Sequence, residues 1–178
     1  RVDHLNGLIA VWEFFTGFET EETNYKAVYS RDVNTYLAIK TDGKTKGKGV
    51  FADTGLMKSS ANTICTKAVI SYLRDDIPVA HTVRTATDPS QFVTVRRVTG
   101  GAQKNGEYLG KAIRWYYAKN ESGAIHYVKN NNRVSKSDGA KPLMQLPDTI
   151  PSDVDYDWYI NEANSLLADI GLRQTSLI

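Results

Sequence analysis

The spacing of apolar residues changes period along this chain, and that change limits the fold to one that mixes helices with strands. Leu5, Leu8, Ile9, Trp12 and Phe15 recur at helical intervals from Asp3, and Gly17 stands where a left-handed cap would close a helix. From Tyr25 the pattern alternates: Tyr25, Ala27 and Tyr29 interleave with Lys26, Val28 and Ser30, and Val33 to Lys40 is rich in β-formers. Two strands are expected to meet at Arg31-Asp32. Helical spacing returns at Ile64, Ala68, Val69, Tyr72 and Leu73, after the candidate caps Ser59, Ser60 and Asn62 and before Asp75-Asp76-Ile77-Pro78. A shorter helix is expected from Val79 towards Thr87. Glu107 to Lys119 and Ala124 to Lys129 read as a hairpin turning at Asn120 to Gly123, and Ser135 to Pro142 as an irregular basic loop. A last helix should carry Tyr159, Ala163, Leu166, Leu167 and Ile170 between a Ser152 cap and Gly171. The class is α+β: a helix and two strands, followed by about three helices and a twisted β-hairpin.

At 178 residues, 41% hydrophobic and 24% charged, the chain suits one medium domain or two small subdomains. The Gly- and Ser-rich stretch from Gly43 to Ser60 is the natural internal boundary. No apolar run approaches the 18 or so residues of a spanning helix, so no membrane partner is expected. Cys65 is the one cysteine, which rules out an internal disulfide and a cysteine-built zinc cluster and fits a reducing compartment. The chain opens on Arg1 with no basic-then-apolar leader, which reads as a fragment or a processed chain.

Charge is unevenly distributed. Residues 1–23 carry one arginine against five acids and residues 147–178 one arginine against six, leaving 20 Lys and Arg against nine acids between them. A middle of net +11 interleaved with Tyr and Trp is the footprint expected of a nucleic-acid surface, because neutralising phosphates releases condensed counterions. A solvated, lysine-rich face that serves only solubility is the plainer alternative.

No catalytic constellation emerges. His4, His81 and His126 fall in separate elements without metal-ligand spacing. A Gly-x-Ser-x-Gly elbow is absent, and Cys65 lies on the apolar side of its helix, where a buried structural cysteine is the default. Neither Gly43 to Gly49 nor Gly100-Gly101 to Lys111 has the register of a phosphate-cradling loop; the first reads as a turn and the second as the approach to a hairpin. Asp153, Asp155 and Asp157 could be metal ligands, but acids in a first helical turn are favoured by the helix dipole.

Three stretches resemble the post-catalytic region of bacteriophage-type family B DNA polymerases. Thr16-Gly17-Phe18 leading through Tyr25 to Tyr36 resembles the palm strands after the catalytic Asp-Thr-Asp strand; Tyr36 matches the tyrosine of a Lys-Lys-x-Tyr type motif, with Val33 and Asn34 where the lysines stand. Asp42 to Gly49 is similar to the Lys-x-Lys-Gly junction of palm and thumb. Phe92 to Ala102, Gly106 to Lys111, Arg114 to Tyr117, Gly139 to Pro142 and Asp157 to Ile160 look like the thumb.

The resemblance implies that residues 1–55 are the C-terminal edge of a polymerase palm and residues 56–178 a thumb. It implies a part of a DNA-directed DNA polymerase, a nucleotidyltransferase of DNA replication, acting in the cytoplasm of an infected bacterial host. Its partners would be primer–template DNA and the remainder of the polymerase, upstream or on another chain. That remainder would hold the catalytic aspartates and their Mg2+, so this chain alone should be inactive. Arg31, Lys46, Lys48, Arg96, Arg97, Lys111 and Arg114 are the expected phosphate or minor-groove contacts, with Tyr36 near the primer end; Arg114 could instead lay its stem beside Trp115. The rival is a free-standing basic accessory protein that stacks single-stranded bases on Tyr116, Tyr117 and Tyr127. A structural virion protein with an incidental basic face is a third class.

Overall fold

A computed structural model describes residues 25–32, 35–42, 44–48 and 63–169. The helix expected at residues 3–17, the caps at 59–62, Ile170 and Gly171 lie outside them. Two antiparallel sheets and three α-helices make up the described part, an α+β fold. The first sheet has strand order β1 (Tyr25–Asp32), β2 (Thr35–Lys40), β3 (Thr45–Lys48). Two strands followed by a Gly- and Ser-rich boundary from Gly43 were the expectation; residues 45–48 of that stretch instead pair with β2 as a third strand, Lys46 opposite Ala38 and Lys48 opposite Tyr36. Between the two sheets come α1 (Thr63–Asp75), α2 (Val79–Thr85) and a single 3-10 turn at Pro89–Phe92. Ile64, Ala68, Val69, Tyr72 and Leu73 are all buried, as a stripe at helical spacing requires.

The second sheet is β6 (His126–Tyr127), β4 (Thr94–Lys104), β5 (Glu107–Tyr117), β7 (Ala140–Leu143), in that spatial order. Its pairing differs from the expected hairpin. β5 turns back on β4 through Asn105-Gly106, whose φ angles of 51° and 80° suit the turn that matches the twist of a tight hairpin. Residues 126–127 pair with β4, and Ala140–Leu143, expected within a loop, forms β7 on the other side of β5.

The last helix, α3 (Tyr156–Asp169), starts four residues after the expected Ser152 cap. Asp155 takes that role: its carboxylate accepts the Trp158 backbone N–H at 3.3 Å. Residues 153–155 run on alongside the end of β5, with Asp155 N–H donating to the Tyr117 carbonyl and Lys119 N–H to that of Asp153. These bonds occupy the backbone that a cap at Ser152 would have needed.

The three helices pack on one another, and α3 lies over one face of the second sheet. Phe92, Trp115, Tyr117, Ile125, Val134, Tyr159 and Leu167 are fully buried there, and Tyr29 and Ile39 of the first sheet join the same apolar cluster. Tyr159 is the polar centre of this core. Its hydroxyl donates to the Phe92 carbonyl at 2.7 Å and accepts the Tyr117 backbone N–H at 3.0 Å, so one side chain ties α3 to the entry of β4 and the end of β5. The Cys65 thiol donates to the Tyr159 carbonyl at 3.5 Å, which keeps the lone cysteine in a structural position. No helix among the described residues is long and apolar enough to cross a membrane.

Candidate nucleic-acid interface

Directly opposed residues of an antiparallel pair share a face, so the register of the second sheet sorts its side chains into two sets. Thr94, Arg96, Ile113, Trp115, Tyr117, Ala140 and Pro142 belong to the inner set, under α3. Val95 pairs with Arg114, Arg97 with Ala112, Arg114 with Leu143 and Tyr116 with Lys141, which makes the outer set. Burial follows the sorting except at Tyr116, which is buried on the outer face: Ile113, Trp115 and Tyr117 are buried, whereas Val95, Arg97, Ala112, Arg114 and Lys141 are exposed.

This sorting separates two neighbouring arginines that look alike in sequence. Arg96 is half-buried on the inner face, donating from Nη1 to the Ser135 carbonyl at 2.7 Å with its guanidinium 5.1 Å from the Trp115 ring centroid. Arg97 and Arg114 project from the outer face of adjacent strands, one step diagonal from each other, a Cβ separation of roughly 7 Å. No carboxylate pairs with either among the described residues. Trp115 faces inward, opposite to Arg114, so their adjacency in sequence does not bring the two side chains onto one face.

Lys141 extends the outer set and was not among the expected contacts. Its ammonium is 2.6 Å from Asp153 Oδ2, and the Tyr116 hydroxyl donates to Asp153 Oδ1 at 2.6 Å. Burial opposes ionisation of Asp153, but the hydrogen bonds from Lys141 and Tyr116 outweigh it and hold the carboxyl below its usual range. Burial, reinforced by that carboxylate, pushes the Tyr116 hydroxyl up to about 12. The lysine could be found only with the register of β7 in hand, because Lys141-Pro142 in isolation reads as a loop.

The remaining expected residues lie elsewhere. Lys111 is exposed on β5 towards the hairpin tip. Arg31, Tyr36, Lys46 and Lys48 are in the first sheet, where the backbone sets Tyr36 between Ser30 of β1 and Lys48 of β3 and leaves Arg31 in an irregular step between Ser30 and Asp32. The tyrosines proposed for base stacking divide as well. Tyr116 and Tyr117 are buried, and the Tyr117 ring stacks on Trp158 at 3.3 Å between centroids; Tyr127 is half-buried. The exposed tyrosine of this sheet is Tyr108, whose ring lies against Gly101 so closely that an added Cβ there would sit 2.6 Å from it.

The acids near the C-terminal end are dispersed among partners: Asp153 holds Lys141 and Tyr116, Asp155 caps α3, and Asp157 pairs with Arg84 at 2.9 Å. Asp153 precedes the helix rather than lying in its first turn. No group of three His, Cys, Asp or Glu side chains suited to a metal ion occurs among the described residues. Neither the family models nor the curated proteins compared with this chain match it.

Proposed function

We propose that this chain is the palm edge and thumb of a phage-type family B DNA-directed DNA polymerase, and that the outer face of its second sheet grips the primer–template backbone. The observation that carries the DNA-binding reading is the pair Arg97 and Arg114, exposed on one face of adjacent strands with no carboxylate partner among the described residues. Two arginines whose Cβ atoms are about 7 Å apart can reach successive phosphates of one strand, and phosphate contacts position a protein on a duplex without reading its sequence. Sequence-independent binding is what a polymerase needs on the duplex it has just made. The polymerase assignment itself rests on the sequence resemblance, as do the upstream partner that supplies the aspartates with their Mg2+ and the setting in the host cytoplasm. Primer–template binding followed by fluorescence anisotropy over a salt series tests the grip. Arg97→Ala and Arg114→Ala should each lower the slope of log K against log salt by about one and weaken unrelated duplexes alike. A wild-type slope in both variants would defeat it.

A further inference from the structure

The outer face of the second sheet carries three of its cations in a diagonal row. Arg97 lies opposite Ala112, Arg114 comes two residues further along β5, and Lys141 lies opposite Tyr116, two residues further again. Each is therefore the diagonal neighbour of the next on β4, β5 and β7, with Cβ atoms roughly 7 Å apart. The third cation differs from the first two. No carboxylate pairs with Arg97 or Arg114 among the described residues, whereas Lys141 Nζ lies 2.6 Å from Asp153 Oδ2.

Asp153 is the fixed member of that pair. The Tyr116 hydroxyl donates to its other carboxylate oxygen at 2.6 Å, and its backbone carbonyl accepts the Lys119 N–H at 2.7 Å. Lys141 reaches it on a flexible, exposed stem from β7. Two ammonium protons remain, but a phosphate that took them would sit beside the Asp153 carboxylate, where like charges repel. Drawing the lysine away would leave a half-buried carboxylate short of a donor. We infer that Asp153 withholds Lys141 from the DNA backbone, so that a row built with three cations offers the duplex two. The inference rests on the sheet-face grip proposed above. A weaker hold suits a protein that must advance along the duplex it grips.

The full chain is titrated with a primer–template duplex by fluorescence anisotropy over a salt series. Wild type is compared with Asp153→Asn, Lys141→Gln, the double variant, and Glu107→Gln, an exposed acid at the start of β5 outside the row. Asp153→Asn should bind about three- to tenfold tighter near about 0.1 M salt and steepen the slope of log K against log salt by about one, the signature of one added phosphate contact. Lys141→Gln alone should match wild type, and the double variant should lose the whole gain. Glu107→Gln removes the same charge at the hairpin tip and should gain less than about twofold. Both single variants at the pair break the same contact, so a merely structural role would move them together. Binding of Asp153→Asn no tighter than wild type, a gain that survives in the double variant, an equal gain in Glu107→Gln, or a loss in Lys141→Gln alone overturns the inference. Wild-type slopes in Arg97→Ala and Arg114→Ala would remove the grip and the inference with it; lowered slopes there without a gain in Asp153→Asn would remove the inference alone.

Discussion

The two faces of the second sheet are built from the same strands and differ in what their arginines and tyrosines do. On the inner face Arg96 is held by Ser135 and Trp115, the Tyr117 hydroxyl by the Lys136 carbonyl, and the Tyr159 hydroxyl by two backbone groups. On the outer face the carboxylate of Asp153 holds Lys141 and Tyr116, while Arg97 and Arg114 stand in solvent. One residue of register therefore decides whether a cation stabilises the fold or remains available to a ligand. Substitutions on the inner face should appear in unfolding experiments, and those at the two exposed arginines in binding.

Alkaline pH should have the largest effect. Burial pushes the Tyr117 hydroxyl up to about 12 and that of Tyr159 well above its usual value, and Tyr116 also lies near 12. Between pH 10 and 12 the unfolded chain releases these protons and the folded chain keeps them, so the native state binds more protons and its stability falls as pH rises. A chemical-denaturation series over that range should show the midpoint dropping steadily; a midpoint independent of pH would contradict the burial of these hydroxyls.

Tyr159→Phe comes next. It strands a buried N–H and a buried carbonyl while preserving ring packing, a loss of roughly 2–4 kcal/mol visible in urea unfolding. Smaller again is the contrast of the paired arginines. Arg96→Ala should cost about 1–2 kcal/mol of stability through its lost carbonyl bond and ring contact, with the salt slope of duplex binding unchanged. Arg97→Ala should lower that slope by about one and change stability by less than about 0.5 kcal/mol. If the two variants behave alike in both assays, the separation of faces is wrong. The smallest effect belongs to Asp153→Asn, about 1 kcal/mol or less at neutral pH because its ion pair is partly exposed. The depressed carboxyl adds stability above its unfolded value and loses it as pH falls through the folded one, so wild type and Asp153→Asn should converge below about pH 4.

The helices were legible because a single stripe per helix is buried, and Ile64, Ala68, Val69, Tyr72 and Leu73 mark such a stripe without ambiguity. The second sheet was harder. Trp115, Tyr116, Tyr117 and Ala118 are buried in succession where residues 153–155 run alongside the end of β5, and alternation fails where a strand is most needed. Gly100-Gly101 read as the approach to a hairpin, and both lie within β4 with φ of 79° and 89°, in a stretch where the pairing slips between Arg97 and Ala102. The Asn-Gly turn four residues later was not singled out. Arg97 and Arg114 were among the contacts that the resemblance implied, but their shared face, the inward turn of Arg96 and the addition of Lys141 depend on register, which side-chain chemistry alone does not encode.

The Asn105-Gly106 turn also bears on the order in which the molecule assembles. A connection of two residues joins strands of 11 residues each, so the pairs nearest the turn close loops of only a few residues and lose little chain entropy in meeting. β7 and α3 must travel from much farther along the chain to reach the same strand. The hairpin is thus the natural nucleus, with α3 docking late through Tyr159. Substitutions at Gly106 should slow refolding, whereas Tyr159→Phe should act chiefly by speeding unfolding.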